Sequence, residues 1–357
     1  MNAPPHSIRF LLIALAGLSL LFGIWIGIAR LGFVLALPHP AMIALHGPLM
    51  AIGFLLTLIG LERAAAVNRW WVYGIPLLSI IAMITLVLDG PQNTAATFAV
   101  IAAALLVVFF CQLFRLQREH HFIVMTLSAA LLCGGNLLWI FGAAIFHVVP
   151  WWAGFLVVMI AGERLELSRL RHPSILVRVL YSIALLTFVA GLALTLFDFR
   201  LGVRIAGAGL IAIALWLLRY DLVWQSVKLP GLPRFMARCL ICGYLWLVLG
   251  GIFWIWFARF FGAGPLYDAM LHTVFVGFVF SMIFAHAPII LPTIIGLALP
   301  FSNSFYLHAG LLHISLLARI AGDLAILPGG QKWGGLLNAI AVLAFLFNNF
   351  RAVVSAR

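Results

Sequence analysis

Histidine is the residue type in this chain with the clearest chemical potential. Eleven occur among 357 residues, and several lie inside apolar runs. His46 opens HGPLMAIGFLLTLIGLER, His147 opens HVVPWWAGFLVVMIAGER, and MLHTVFVGFVFSMIFAHAP holds His272 and His286. His308 and His313 follow in LHAGLLHISLLARIAGDL. An ionisable side chain is costly inside a bilayer, so such residues mark functional sites by default. Neutral imidazole binds haem iron, copper or zinc through one ring nitrogen while a carbonyl, hydroxyl or water holds the other. The competing role is a satisfied hydrogen bond between helices.

Spacing limits what these groups can share. His272 and His286 differ by about 1400° of helical rotation and roughly 21 Å of rise, so they lie on one face but cannot bind one iron. His308 and His313 differ by roughly 140° in azimuth, so one can face inward with His286 while the other turns away. Gly47 and Pro48 follow His46, removing bulk and loosening the backbone ladder where a flat macrocycle could approach. Met50, one turn below His46, is a thioether ligand or, more simply, packing. Arg319 precedes Asp323 by four residues, and a local pair is the expected use of both. Glu62-Arg63 and Glu163-Arg164 end their runs, where charged side chains snorkel to water. Proton uptake is an alternative use of those carboxylates. His39, His120 and His121 are read as interfacial and solvated. Cys111 and Cys133 are read as small packing residues, and the Cys239–Cys242 CxxC has no second pair to complete a metal site.

The elements that position these groups are membrane helices. The chain is 65% hydrophobic and 8% charged, with a mean hydropathy of +1.19. A soluble domain carries about a quarter charged residues. Runs near 20 residues, each enough for a hydrocarbon core of about 30 Å, recur along the whole chain. The fold class is all-α: a polytopic membrane protein of about twelve transmembrane helices, a single domain over 1–357 with no soluble part. The sixth run, 147–163, is short. The N-terminal run lacks a clean cleavage motif and is read as a retained helix.

The His46 and His147 segments align without gaps at a spacing of 101 residues, sharing His46/His147, Gly53/Gly154, Phe54/Phe155, Glu62/Glu163 and Arg63/Arg164. Gly277-Phe278 gives a weaker third copy, in which His272 falls two residues late, about 200° around a helix. His286 stands where the glutamates stand. This internal repeat divides the chain into pseudo-repeats at about 1–120, 121–234 and 235–357, three four-helix blocks. The net charge of +12 lies in short loops, where it orients the chain and does not imply nucleic acid. Fifteen of the 21 Lys and Arg, Arg171 and Arg357 included, fall on the N-terminal side. Both termini are therefore expected in the cytoplasm, with His172 in a cytoplasmic loop.

Three four-helix arcs with histidines on the second, sixth and tenth helices resemble subunit I of the haem–copper oxidases. Within that group, ALHGPLMAIGFLLTLIGLERA, LHTVFVGFVFSMIFAHAP and LHAGLLHISLLARIAGDL look most like the NnrS family, haem- and copper-containing membrane proteins associated with nitric oxide metabolism and nitrosative stress. The resemblance covers the helix count over the chain and specific motifs in these segments only. It implies a haem, of the b type, with copper as a second metal. It also implies a small gaseous or redox ligand, an electron donor, and residence in a bacterial-type inner membrane. His46 and His272, at matched depth on co-directional helices, become axial ligands of one haem, with Gly47 and Gly277 beside the ring and Arg319 at the propionates. His147, His286, His308 and His313 are further metal candidates.

Departures from the oxidase pattern matter equally. Residues 175–197 carry no histidine where oxidases hold a copper-ligating pair. Trp151 and Trp152 stand where oxidases place a tyrosine, and His272 and His286 are 14 residues apart. An oxygen-reducing terminal oxidase is not expected. Two other classes stay open: a secondary transporter, and a metal-insertion factor holding copper on His46, His147 and His272.

Overall fold

The computed structural model describes residues 6–169 and 173–355, so Arg171, His172 and Arg357 lie outside the described residues. Within them the protein is all-α and multi-pass. Twelve helices among the described residues are long and apolar enough to span a bilayer: α1 Ser7–Arg30, α2 Pro40–Val67, α3 Trp70–Val87, α4 Gln92–Gln117, α5 His120–Ile140, α6 Ile145–Ser168, α7 Ile175–Leu194, α8 Phe199–Tyr220, α9 Leu232–Phe260, α10 Pro265–Ile295, α11 Phe305–Leu324 and α12 Pro328–Ser355. A bilayer leaves backbone groups no water to bond, so each segment satisfies its own N–H and C=O groups as a helix. The sixth run is a full-length helix, not a short one, because Ile145 and Phe146 before it and the residues from Arg164 to Ser168 after it continue the winding. Turns are chemically marked. Asp198 caps α8 by accepting from the amide of Leu201 at 3.0 Å, and Gly264, at φ +88°, takes the left-handed backbone that sets up Pro265 at the start of α10.

The described chain forms two compact units. The first comprises 1–155 with 289–298, the second 156–288 with 299–357. In the first, α1 packs on α2 and α3, and α3, α4 and α5 pack in series. In the second, α7 to α12 pack each on the next, and close approach depends on glycine. A Cβ on Gly207 of α8 would lie 2.7 Å from the Gly251 carbonyl of α9, and one on Gly334 of α12 would lie 2.5 Å from the Arg319 amide of α11. Without a hydrophobic drive between helices in lipid, such contacts supply the packing energy.

α2 and α10 share an irregularity. Each changes to π-helical winding for eight residues just after its histidine, Leu49–Leu56 and Thr273–Phe280. Gly53-Phe54 and Gly277-Phe278 occupy the fifth and sixth places of these segments. α6, the remaining copy of the repeat, is α-helical throughout with Pro150 inside it. Because the π segment begins three residues after His46 and one after His272, the shared winding does not remove the offset between the two histidines.

Candidate functional site

The partner of each imidazole decides which ring nitrogen carries the proton. Nδ1 of His46 lies 2.8 Å from the Gly23 carbonyl oxygen, Nδ1 of His272 2.9 Å from that of Asp268, and Nδ1 of His286 2.7 Å from that of Met282. A carbonyl only accepts, so Nδ1–H donates in all three. Backbone carbonyls orient metal-ligating imidazoles in this way.

His308 and His313 have the opposite arrangement. The indole Nε1–H of Trp246 only donates, and it meets Nδ1 of His313 at 3.1 Å. The amide nitrogen of Asn348 donates to the Ser304 carbonyl at 3.3 Å and to Nδ1 of His308 at 3.0 Å. Both Nδ1 lone pairs are consumed, the proton sits on Nε2, and neither ring presents a ligand nitrogen. His308 is buried among Phe284, Phe305 and Phe345, whose ring centroids lie 4.8, 5.5 and 5.4 Å away. His308 is buried in the packing of the second unit, and His313 is partly buried there.

In the first unit, the setting of His46 is a glycine face on α1. A Cβ on Gly27 would come 3.0 Å from Cε1 of His46, and one on Gly23 would come 2.6 Å from Sδ of Met50. Met50 thus packs against α1. Gly23 and Gly27 were not singled out from sequence, although GIWIG places two small residues four apart on one helix face. Gly47 is uncrowded, with only a ring carbon of Trp152 within reach of a Cβ, at 3.8 Å. Trp152 itself donates to Asn136 at 2.9 Å, and Asn136 donates to the Ala99 carbonyl at 3.1 Å. His147 stands half-buried in the first turn of α6, its amide donating to the Ala144 carbonyl.

In the second unit, His272 belongs to a charged chain. Its Nδ1 is 3.2 Å from Oδ1 of Asp268, whose two oxygens accept from Nε and Nη2 of Arg319 at 2.7 and 2.8 Å. The expected Arg319–Asp323 pair does not form. An arginine four residues before an acid is the weaker order of a helical pair, while Asp268 offers a two-pronged fit across helices. Gly277 was expected beside a macrocycle. Its missing side chain instead makes room for Trp246, whose Cγ would lie 2.5 Å from a Cβ there.

A second buried pair lies toward the other end of the second unit. Arg164 donates from Nε and Nη2 to Asp221, both at 2.6 Å, and the Tyr244 hydroxyl donates to the same carboxylate at 2.9 Å. Arg164 and Asp221 are 7% and 1% exposed, so Arg164 does not snorkel to water as its position at a helix end suggested. Arg63, its counterpart in the repeat, lies 3.7 Å from Glu62 and over the ring of Phe110. His121, read as solvated, is buried, whereas His120 is exposed and His39 is half-buried 3.8 Å from Asp89. All four cysteines are free thiols, Cys239 buried and Cys242 partly so. Among the described residues no three of His, Cys, Asp or Glu gather as a metal-holding group.

Residues 9–354 match the model of a family described as a domain of unknown function, DUF8744. The chain belongs to that family. No curated protein matches it. The matched span runs from α1 into α12, so the family's extent includes the His46 and His272 settings in full.

Proposed function

We propose that this is a haem-bearing membrane protein, resembling the NnrS family, that handles nitric oxide or another small redox ligand. The observation that supports the reading is the pinning of Nδ1 in His46 and His272 to backbone carbonyls, the way metal-ligating imidazoles are oriented. The donor set fits a haem, of the b type, whose iron would supply ligand binding and one-electron exchange. Gly23 and Asp268 hold the two rings in orientation. Gly47 leaves backbone accessible beside His46, while Gly277 does not contribute. Arg319 holds Asp268, and so positions His272. Copper, a second expectation, would look to His286, whose Nδ1 the Met282 carbonyl holds in the same way. The excess of Lys and Arg on the N-terminal side places both termini in the cytoplasm, and a bacterial-type inner membrane fits that orientation. An electron donor would complete the redox role.

The ionisable cluster of Asp268, Arg319 and Asp323 favours one other reading, a secondary transporter, which requires no haem. An absorption spectrum with a pyridine haemochrome assay on the purified protein separates the two. Haem bound in the wild type and lost from His46→Ala and His272→Ala supports the proposal. Haem-free wild-type protein, or full haem in both variants, refutes it.

A further inference from the structure

Asp323 has no role in the haem reading. It sits in the last turn of α11, is 0% exposed, and neither carboxylate oxygen has a hydrogen-bond partner. The groups that act on it come from three helices: Asp268 on α10, Arg319 on its own helix, and the Gln331 side chain on α12. Lys332 follows Gln331 in sequence, and Arg259, at the end of α9, is exposed and stacked on Phe260 at 4.5 Å.

Counting charge shows what is missing. Arg319 is matched one to one by Asp268, whose two oxygens occupy its fork. The Nδ1 edge of His272 likewise faces Asp268, 2.9 Å from its carbonyl oxygen and 3.2 Å from its carboxylate. An ionised Asp323 would add a second negative charge beside Asp268, with no exposed surface and neither oxygen hydrogen-bonded, which an apolar interior does not hold. Where this bundle needs only a neutral polar group it uses an amide, as at Asn338, which donates to Ser315 at 2.7 Å. A carboxyl differs from an amide in that its proton can leave. The residues just after Asp323, 324–329, are exposed, so the buried acid is one residue from an aqueous face.

We propose that Asp323 is an exchangeable proton-binding site at the membrane face where α11 ends and α10 begins. The step is the simplest one: the carboxylic O–H bond breaks, the proton passes to water at that face, and the carboxylate remains. That carboxylate competes with Asp268 for Arg319, so the occupancy of the site is felt at the residue that holds His272. The proposal does not depend on haem at His272.

The test is an infrared pH titration of the purified full-length protein in H2O and D2O. The expected result is a protonated-carboxyl C=O band of a dry environment that shifts in D2O and disappears on alkalinisation. The band is lost in Asp323→Asn and displaced in Asp323→Glu, with far-UV circular dichroism and thermal unfolding confirming that both variants fold. Asp323→Asn is the neutral isostere of the protonated acid and is expected to fold as the wild type does. No such band in the wild type at any pH, or one that survives in folded Asp323→Asn, overturns the proposal. Repeating the titration in sodium and in choline salts separates the remaining ligand of like charge: a band abolished by sodium would assign a metal cation and overturn the proton.

Discussion

Arg319 and Asp268 face each other across two helices in a two-pronged ion pair, at 2.7 and 2.8 Å, and the same carboxylate meets the Nδ1 edge of His272. Asp268 is partly exposed and keeps the His272 edge, so removing Arg319 costs less than the roughly 3–5 kcal/mol of a fully buried pair, on the order of 1–3 kcal/mol. Arg319→Ala is expected to destabilise the folded protein on that scale. Arg319→Lys retains the charge but not the fork, and recovers only part of the loss. Chemical or thermal unfolding in detergent measures both, and wild-type stability in Arg319→Ala would show that the pair contributes nothing.

The Arg164–Asp221–Tyr244 cluster predicts a graded series. Tyr244→Phe removes one hydrogen bond to a carboxylate that Arg164 still compensates, an effect of about 1–3 kcal/mol. Asp221→Ala strands a guanidinium and costs more, whereas replacing Arg164 and Asp221 together by apolar residues of similar size costs little. A double-mutant cycle on unfolding free energies checks the ordering, and equal losses in all the single variants would contradict it.

Glycine positions provide an internal contrast. Gly277→Ala places a methyl group 2.5 Å from Trp246 Cγ, so the indole must move and its hydrogen bond to His313 is strained. A loss of about 1–3 kcal/mol is expected, with a change in tryptophan emission. Gly310→Ala on α11 meets nothing within 4 Å and is expected to be neutral or stabilising by about 1 kcal/mol. Equal behaviour of the two would mean that α9 and α10 are not in contact at Gly277.

The tautomers separate the histidines as ligands. His308→Gln and His313→Gln are expected to retain whatever haem the wild type binds, because their Nδ1 atoms already accept from Asn348 and Trp246. His46→Gln and His272→Gln are expected to lose it. Haem loss confined to the first pair would reverse the assignment.

Much of this architecture is written in the composition. Lipid obliges each segment to satisfy its own backbone, so a run of about twenty apolar residues already specifies a spanning helix, and all twelve read in this way. The repeat likewise locates His46 and His147 at equivalent places from identities alone. Helical periodicity, however, relates only residues a few positions apart on one segment. It therefore offered Asp323 as the partner of Arg319 and water as the partner of Arg164. The structure chose Asp268, 51 residues away, and Asp221, 57 residues away. Which carbonyl meets Nδ1 of His46 was equally out of reach, since Gly23 lies on another helix. Those choices follow from how closely glycine-faced helices approach and from which acceptor a rigid guanidinium or imidazole can reach across the gap. Only side chains brought together from separate segments decide that.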